Sequence, residues 1–190
     1  MAAGRGCTSR NSAHESRLDV LVNNAGAIWT GSIDDYTEEG WDLTMDLNLK
    51  APFFLTQALL PLLRGAANHH GPARIINVGS ARGTTVPEAP SFAYTASKSA
   101  INHLTRHMAA QLAPEGITVN VLAPGVYQTR IRRPEDGGTS AAGIASNIPL
   151  RRTGRPTDVA GTAIFLASSA GSYLTGAVIP VDGGLGVVSQ

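Results

Sequence analysis

Tyr94 and Lys98 stand four residues apart in the stretch Ser91-Phe-Ala-Tyr-Thr-Ala-Ser-Lys-Ser-Ala100. The stretch continues into Ile101, Leu104, Met108 and Leu112 at helical spacing, which predicts a helix. Residues four apart on a helix share a face, so the phenol and the ammonium project side by side. A free phenol titrates near pH ~10 and is a poor acid or base at neutrality. A cation beside a phenol favours its ionised form. Such a pair can give or take a proton at working pH. The plain alternative is two unrelated residues on a helix. Three further features weigh against it: Ser80 at the end of a predicted strand upstream, Asn48, and the turn Asn23-Asn-Ala-Gly26.

Each of these residues has to be placed by an element. Leu18-Asp-Val-Leu-Val22 reads as a buried parallel strand closed by the Asn23–Gly26 turn. Thr37-Glu-Glu39 starts a helix with acids in its first turn, and that helix runs through Trp41, Met45, Leu49, Phe53 and Leu60. Pro52 lies inside it and has no N–H for the carbonyl of Asn48. A kink there predicts an exposed backbone oxygen beside an amide side chain, a pair able to hold a water. Arg74-Ile-Ile-Asn-Val78 is the second strand and delivers Gly79-Ser80 at its carboxyl end, where open α/β sheets place ligands. Val78-Gly-Ser-Ala-Arg82 lacks the second glycine of a hydrolase nucleophile elbow.

After the Tyr94 helix come a third strand, Ile117-Thr-Val-Asn-Val-Leu122, and the turn Ala123-Pro-Gly125. Residues 126–155 are rich in Gly, Ser and Arg, with a short helix expected around Ser140–Asn147. That length suggests a flap over a site. Its arginines (130, 132, 133, 151, 152 and 155) either form a solvated surface or meet an anionic substrate tail. Pro156 opens a helix over Thr157–Ser168. Ala177-Val-Ile-Pro-Val181 is a fourth strand, closed by Asp182-Gly-Gly184. Strands alternating with helices imply a parallel sheet with right-handed crossovers.

Composition narrows the class. The chain has 190 residues, 15% of them charged, and a formal net charge of +1, so no general attraction to nucleic acid or to a membrane surface follows. Its one cysteine, Cys7, excludes an intramolecular disulfide. No apolar run approaches the ~20 residues of a membrane helix. The first 17 residues carry Arg5, Arg10 and Arg17 but no apolar face, and Glu15 intrudes on a transit-peptide pattern. The expected compartment is the cytoplasm. His69-His70 lacks an accompanying Cys or carboxylate cluster, and sequence neighbours point apart, so a solvated loop is expected there and no metal site.

In this order and spacing, Asn23-Asn-Ala-Gly26, Asn48, Gly79-Ser80, Tyr94-Thr-Ala-Ser-Lys98, Pro124-Gly125 with Thr129, and Val181-Asp-Gly-Gly184 resemble the short-chain dehydrogenase/reductases. The likeness spans about residues 15–186. Its nearest flavour is the reductases of 3-oxoacyl chains on acyl carrier protein and their relatives in secondary metabolism. It implies an α/β, Rossmann-like, doubly wound parallel sheet. It also implies hydride transfer between NADP(H) or NAD(H), with NADP taken ahead of NAD, and a carbonyl or hydroxyl substrate that is small or carrier-bound. The implied roles are these. Ser80 orients the carbonyl and Tyr94 protonates its oxygen. Lys98 makes the phenol a readier acid and binds the nicotinamide ribose, Tyr94 also contacts the cofactor, and Asn48 holds a water linking Lys98 to solvent. Pro124, Gly125 and Thr129 border the nicotinamide end. Asn23, Ala25 and Gly26 lie near the adenosine end and brace the sheet. A homodimer or homotetramer packed through the Asn48 and Tyr94 helices is implied as well.

One part of the family pattern is not seen. The strand, glycine-rich turn and helix that hold a pyrophosphate have no counterpart here, since Gly4-Arg-Gly6 follows no strand and opens no apolar helix. The expectation is therefore an incomplete sheet, strands four to seven of the family's, N-terminally truncated. Residues 1–14 are expected to be disordered and outside the family, and 15–190 to form a single catalytic part. Leu18–Val22 then becomes an apolar edge strand. Three functions compete: an active carbonyl reductase, a catalytically impaired fragment that only associates with full-length relatives, and an epimerase or dehydratase on the same fold. The short carboxyl end after Asp182 argues against the last.

Overall fold

Four aliphatic runs become four parallel strands in the computed structural model, which describes residues 15–67, 71–127 and 141–187. They are β1 (Val20–Asn23), β2 (Ala73–Val78), β3 (Ile117–Pro124) and β4 (Val178–Val181). The sheet order is β1-β2-β3-β4. Asn23 pairs with Asn77, Val78 with Leu122, and Pro124 with Val181. The strands begin and end within two residues of their expected limits. β3 runs on to Pro124 because β4 pairs with it there, and the Gly125 N–H reaches Val181 O at 3.0 Å.

Helices lie against both faces of this sheet. α1 is Glu38–Met45, α2 Ala51–Ala66, α3 Phe92–Leu112, α4 Ala141–Ser146 and α5 Pro156–Ala167. Ile75, Ile117 and Val119 pack against Leu59 and Leu63 of α2 and against Met108, Ala109 and Leu112 of α3. On the other face Ile76 and Leu122 pack against Leu166 of α5, with Val159 and Ala163 alongside. Adjacent residues Ile75 and Ile76 therefore serve opposite layers, as the two-residue period of a strand requires. Both are buried, as are Val119, Val121 and Leu122, and each contributes roughly 1.5–3 kcal/mol of apolar burial. The result is an α/β, Rossmann-like arrangement, a parallel sheet between helical layers.

The helix expected from Thr37 through Leu60 is three pieces. Thr37 caps α1, its Oγ1 accepting the Gly40 N–H at 3.1 Å. A π-helical turn, Asp46–Lys50, then intervenes before α2. The Ala51 N–H bonds Asp46 O, five residues back. Pro52 therefore sits in the first turn of α2, where its missing N–H costs little. Widening the turn before the proline replaces a plain kink.

Several expectations fall outside the described residues: Gly4–Gly6 and the rest of 1–14, His69-His70, Thr129, and Arg130, Arg132 and Arg133. Among the described residues no helix is long and apolar enough to cross a membrane.

Candidate active site

β2 carries the chain to the carboxyl edge of the sheet. Beyond Val78 the Gly79 N–H still pairs with Leu122 O at 2.8 Å, so the strand end stays fixed. Ser80 then caps a 3-10 turn, Ala81–Gly83: its Oγ accepts the Arg82 N–H at 3.1 Å, and its carbonyl accepts the Gly83 N–H at 2.9 Å. Ser80 is buried, and its own O–H meets no acceptor among the described residues, leaving it to donate to an incoming oxygen. The turn is pressed onto α3. A Cβ on Gly83 would stand 2.6 Å from the Lys98 carbonyl oxygen, so only glycine fits. Ser99 Oγ fastens the contact by donating to Gly83 O at 2.9 Å.

α3 brings Lys98 to the same strand end. Its Nζ donates to Val78 O at 2.8 Å, two residues before Ser80, and lies 5.7 Å from the centroid of the Tyr94 ring. Lys98 and Tyr94 thus face one environment, as the four-residue spacing requires. Lys98 is only 5% exposed, and burial pushes its ammonium down to about 8. At neutral pH it is still mainly a cation, held beside a half-buried phenol.

Asn48 reaches the site from the π turn. Its Oδ1 accepts the Ala27 N–H at 2.8 Å, and its Nδ2 donates to Ala27 O at 2.9 Å and to Ser97 Oγ at 3.0 Å. The side chain is 2% exposed, so the expected exposed amide is absent. It is a clamp joining the turn after β1 to α3. Pro52, four residues on, has no N–H to offer the Asn48 backbone carbonyl. Ser97, which sequence reasoning passed over although it stands next to Lys98, closes this network: its Oγ donates to the Tyr94 carbonyl at 2.8 Å.

The remaining site residues separate. Asn23 is buried, its Nδ2 donating to Asn77 Oδ1 at 2.8 Å and to Thr56 Oγ1 at 3.4 Å. Asn77 in turn donates to Thr105 Oγ1 at 2.9 Å, which completes a polar row from α2 through two strands to α3. No signal of period or motif in the sequence pairs these four residues. Ala25 is exposed. Gly26 lies at the lysine's end of the site and not apart from it: a Cβ there would stand 3.2 Å from Asn48 Oδ1 and 3.9 Å from Lys98 Nζ. The physical reason is the Asn48 clamp, which pulls the turn after β1 over α3. Pro124 and Gly125 end β3 beside Val181 and Asp182.

Two of the described flap arginines, Arg151 and Arg152, have their guanidinium groups committed elsewhere and do not stand ready for an anion. Arg152 pairs bidentately with Asp158 at 2.6 and 3.2 Å, and Arg151 donates to Ser146 O. The Arg155 N–H is taken by Asp158 Oδ2 at 2.8 Å. These bonds, Arg152's first, pull the Asp158 carboxyl down to about 2. An open cavity of about 560 Å³ lies between these residues and the β3 and β4 ends, lined by Val126, Tyr127, Leu150, Pro180 and Gly183 among others.

The bare backbone at Gly26 beside a buried ammonium is a cradle that a side chain would fill, and it fits the ribose-nicotinamide end of a dinucleotide. For the pyrophosphate end, the described residues hold no glycine-rich turn between a strand and a helix.

A parallel sheet with Ser80, Tyr94 and Lys98 gathered at its carboxyl edge defines a class, and the chain belongs to the short-chain dehydrogenase/reductase family, whose members are NAD(P)-dependent oxidoreductases. The matching family description is "Enoyl-(Acyl carrier protein) reductase", over residues 5–186, so the match begins within the first 14 residues. Among curated relatives, the rhamnolipids biosynthesis 3-oxoacyl-[acyl-carrier-protein] reductase of Pseudomonas aeruginosa is 46% identical over 171 residues. That alignment takes in 89% of this chain and 66% of the relative, so the chain spans about two thirds of the relative's length. Among solved structures, the Pseudomonas aeruginosa RhlG/NADP active-site complex superposes with a TM-score of 0.92 at 41% identity, covering 97% of this chain and 73% of that one. A gluconate 5-dehydrogenase from Burkholderia cenocepacia, in complex with NADP and tartrate, gives 0.89 at 30% identity, with 99% and 72% covered.

Proposed function

We propose that this chain carries the proton-transfer half of an NADP(H)-dependent carbonyl reductase acting on a 3-oxoacyl group or a comparable ketone. One observation carries the reading: a buried lysine whose ammonium is shared between the carbonyl at the end of β2 and the face of the Tyr94 ring. The Ser80 O–H donates to the substrate carbonyl and orients it. Tyr94 delivers its proton to the same oxygen as that oxygen becomes an alkoxide, and Lys98 stabilises the phenolate left behind. Asn48 and Ser97 hold the Tyr94 turn in place. Lys98, Gly26, Pro124, Gly125 and Thr129 would hold the nicotinamide end of the cofactor, with Asn23 and Ala25 supporting the turn beneath it. The bound reduced nicotinamide supplies the hydride. The 3-oxoacyl choice is supported by the Pseudomonas reductase's name, and NADP by the two solved complexes.

The test is NADPH oxidation by the purified chain with a 3-oxoacyl thioester, beside fluorescence titration of NADPH. Tyr94→Phe should lower kcat on the order of 10²–10⁴-fold and leave NADPH binding unchanged. Absence of NADPH binding to the unaltered chain would sink the reading. A second reading, association with full-length relatives without turnover, is favoured by one feature: among the described residues β1 is an edge strand with Val22 exposed. That reading predicts no turnover alone but co-purification with a full-length relative. Assembly through the α1–α2 and α3 helices is part of both.

A further inference from the structure

The first turn of α3 is capped from outside its own segment. A helix begins with four N–H groups that have no partner within it. Ser91 stands at the N-cap but does not cap: its Oγ donates to Ala89 O at 3.3 Å. The Ala93 N–H goes instead to the Tyr36 hydroxyl at 3.3 Å, and that hydroxyl donates to Trp29 O at 3.0 Å. The phenol is thus a relay, Ala93 N–H to Tyr36 Oη–H to the Trp29 carbonyl. Its ring is fixed by edge contacts, 5.4 Å to Phe92 and 6.4 Å to Trp41 between centroids. The backbone adds a second tie between the same segments, Gly31 N–H to Pro90 O at 3.1 Å.

We infer that Tyr36 is a positioning residue for Tyr94, its hydroxyl setting the first turn of α3 from the loop after β1. The proposal rests on the reading of Tyr94 as the proton donor. Tyr94 immediately follows Ala93. Its turn is fastened at the near end by Tyr36 and at the far end by Ser97 and Asn48. Both fastenings lead back to the segment 27–36, through Ala27 and Trp29. Losing the near one lets the first turn fray while the rest of α3 stays packed on the sheet. Small displacements of a proton donor cost rate far more than they cost substrate affinity.

Tyr36→Phe keeps the ring and removes only the hydroxyl. In the full chain, amide exchange followed by NMR should speed up about tenfold or more at Ala93, and the Tyr94 ring resonances, assigned from Tyr94→Phe, should shift. In the turnover assay, Tyr36→Phe should lower kcat about tenfold at unchanged KM. The same change made in a Tyr94→Phe background should have almost no further effect. Unchanged Tyr94 resonances with unchanged Ala93 exchange overturn the proposal. So does an equal loss of rate in both backgrounds, which marks a general structural role. A Tyr94→Phe variant as active as the unaltered chain refutes the proton-donor reading instead, while the exchange and resonance data still decide whether Tyr36 holds the turn.

Discussion

Lys98 is held where water is scarce, its ammonium on the Val78 carbonyl and beside an aromatic face. Its folded-state value of about 8, against an ordinary value of 10.5, gives a stability prediction with a definite sign. Below about pH 8 the lysine is charged in both folded and unfolded chains, and the full cost of burying the charge weighs on the fold. Between about 8 and 10.5 the unfolded chain keeps its proton while the folded one releases it, so stability rises with pH through that window. The whole effect is roughly 3 kcal/mol at most. Urea midpoints at about pH 7.5 and about pH 9.5 should therefore separate more for the native chain than for Lys98→Met, which removes the titrating group. Equal separations would mean that the lysine is not desolvated.

At the scale of elements, the π turn and the clamp it presents are the decisive device. Asn48 makes three hydrogen bonds from a buried side chain, and Asn48→Ala strands the Ala27 N–H, its carbonyl and Ser97. The expected loss is about 2–4 kcal/mol, read from the urea midpoint, and a loss below about 1 kcal/mol would show that the turn after β1 does not depend on it. Gly40 in α1 gives a sharper case. An alanine in a helix normally stabilises by about 1 kcal/mol over glycine. Here its Cβ would stand 2.4 Å from the Trp29 indole, so Gly40→Ala should lower Tm, with a cost of about 1–3 kcal/mol. A raised Tm would show that the indole can move aside freely.

On the scale of the whole molecule, the sheet has two edges. β2 and β3 are paired on both sides, whereas among the described residues β1 pairs only with β2 and β4 only with β3. Val22 on β1 is 47% exposed, which leaves an apolar edge open to a further strand. Val22→Lys should reduce self-association measured by light scattering while shifting Tm by no more than ~2 °C, since a half-exposed valine contributes little to the core. If association is unchanged, it runs through the helices alone.

Local chemistry and periodicity made much of this protein legible from its residues. The helix bearing Tyr94 and Lys98, the strand that delivers Ser80, and the parallel order of four strands follow from hydrophobic spacing and from turn residues that act over a few positions. Spacing alone also placed Tyr94 and Lys98 in one environment, because a helix makes residues four apart neighbours whatever surrounds them. Tertiary structure alone decided the rest. The widening of the turn before Pro52, the closure of Asn48 on Ala27, the capping of α3 by Tyr36 and the row Thr56–Asn23–Asn77–Thr105 each join residues far apart in the chain. Hydrogen bonds of that kind leave no periodic mark, since a polar side chain reads the same in sequence whether it meets water or a partner folded against it. The same reason explains Arg152 and Arg151, whose commitment to Asp158 and Ser146 depends on where α4 and α5 come to rest, not on the charge of the run.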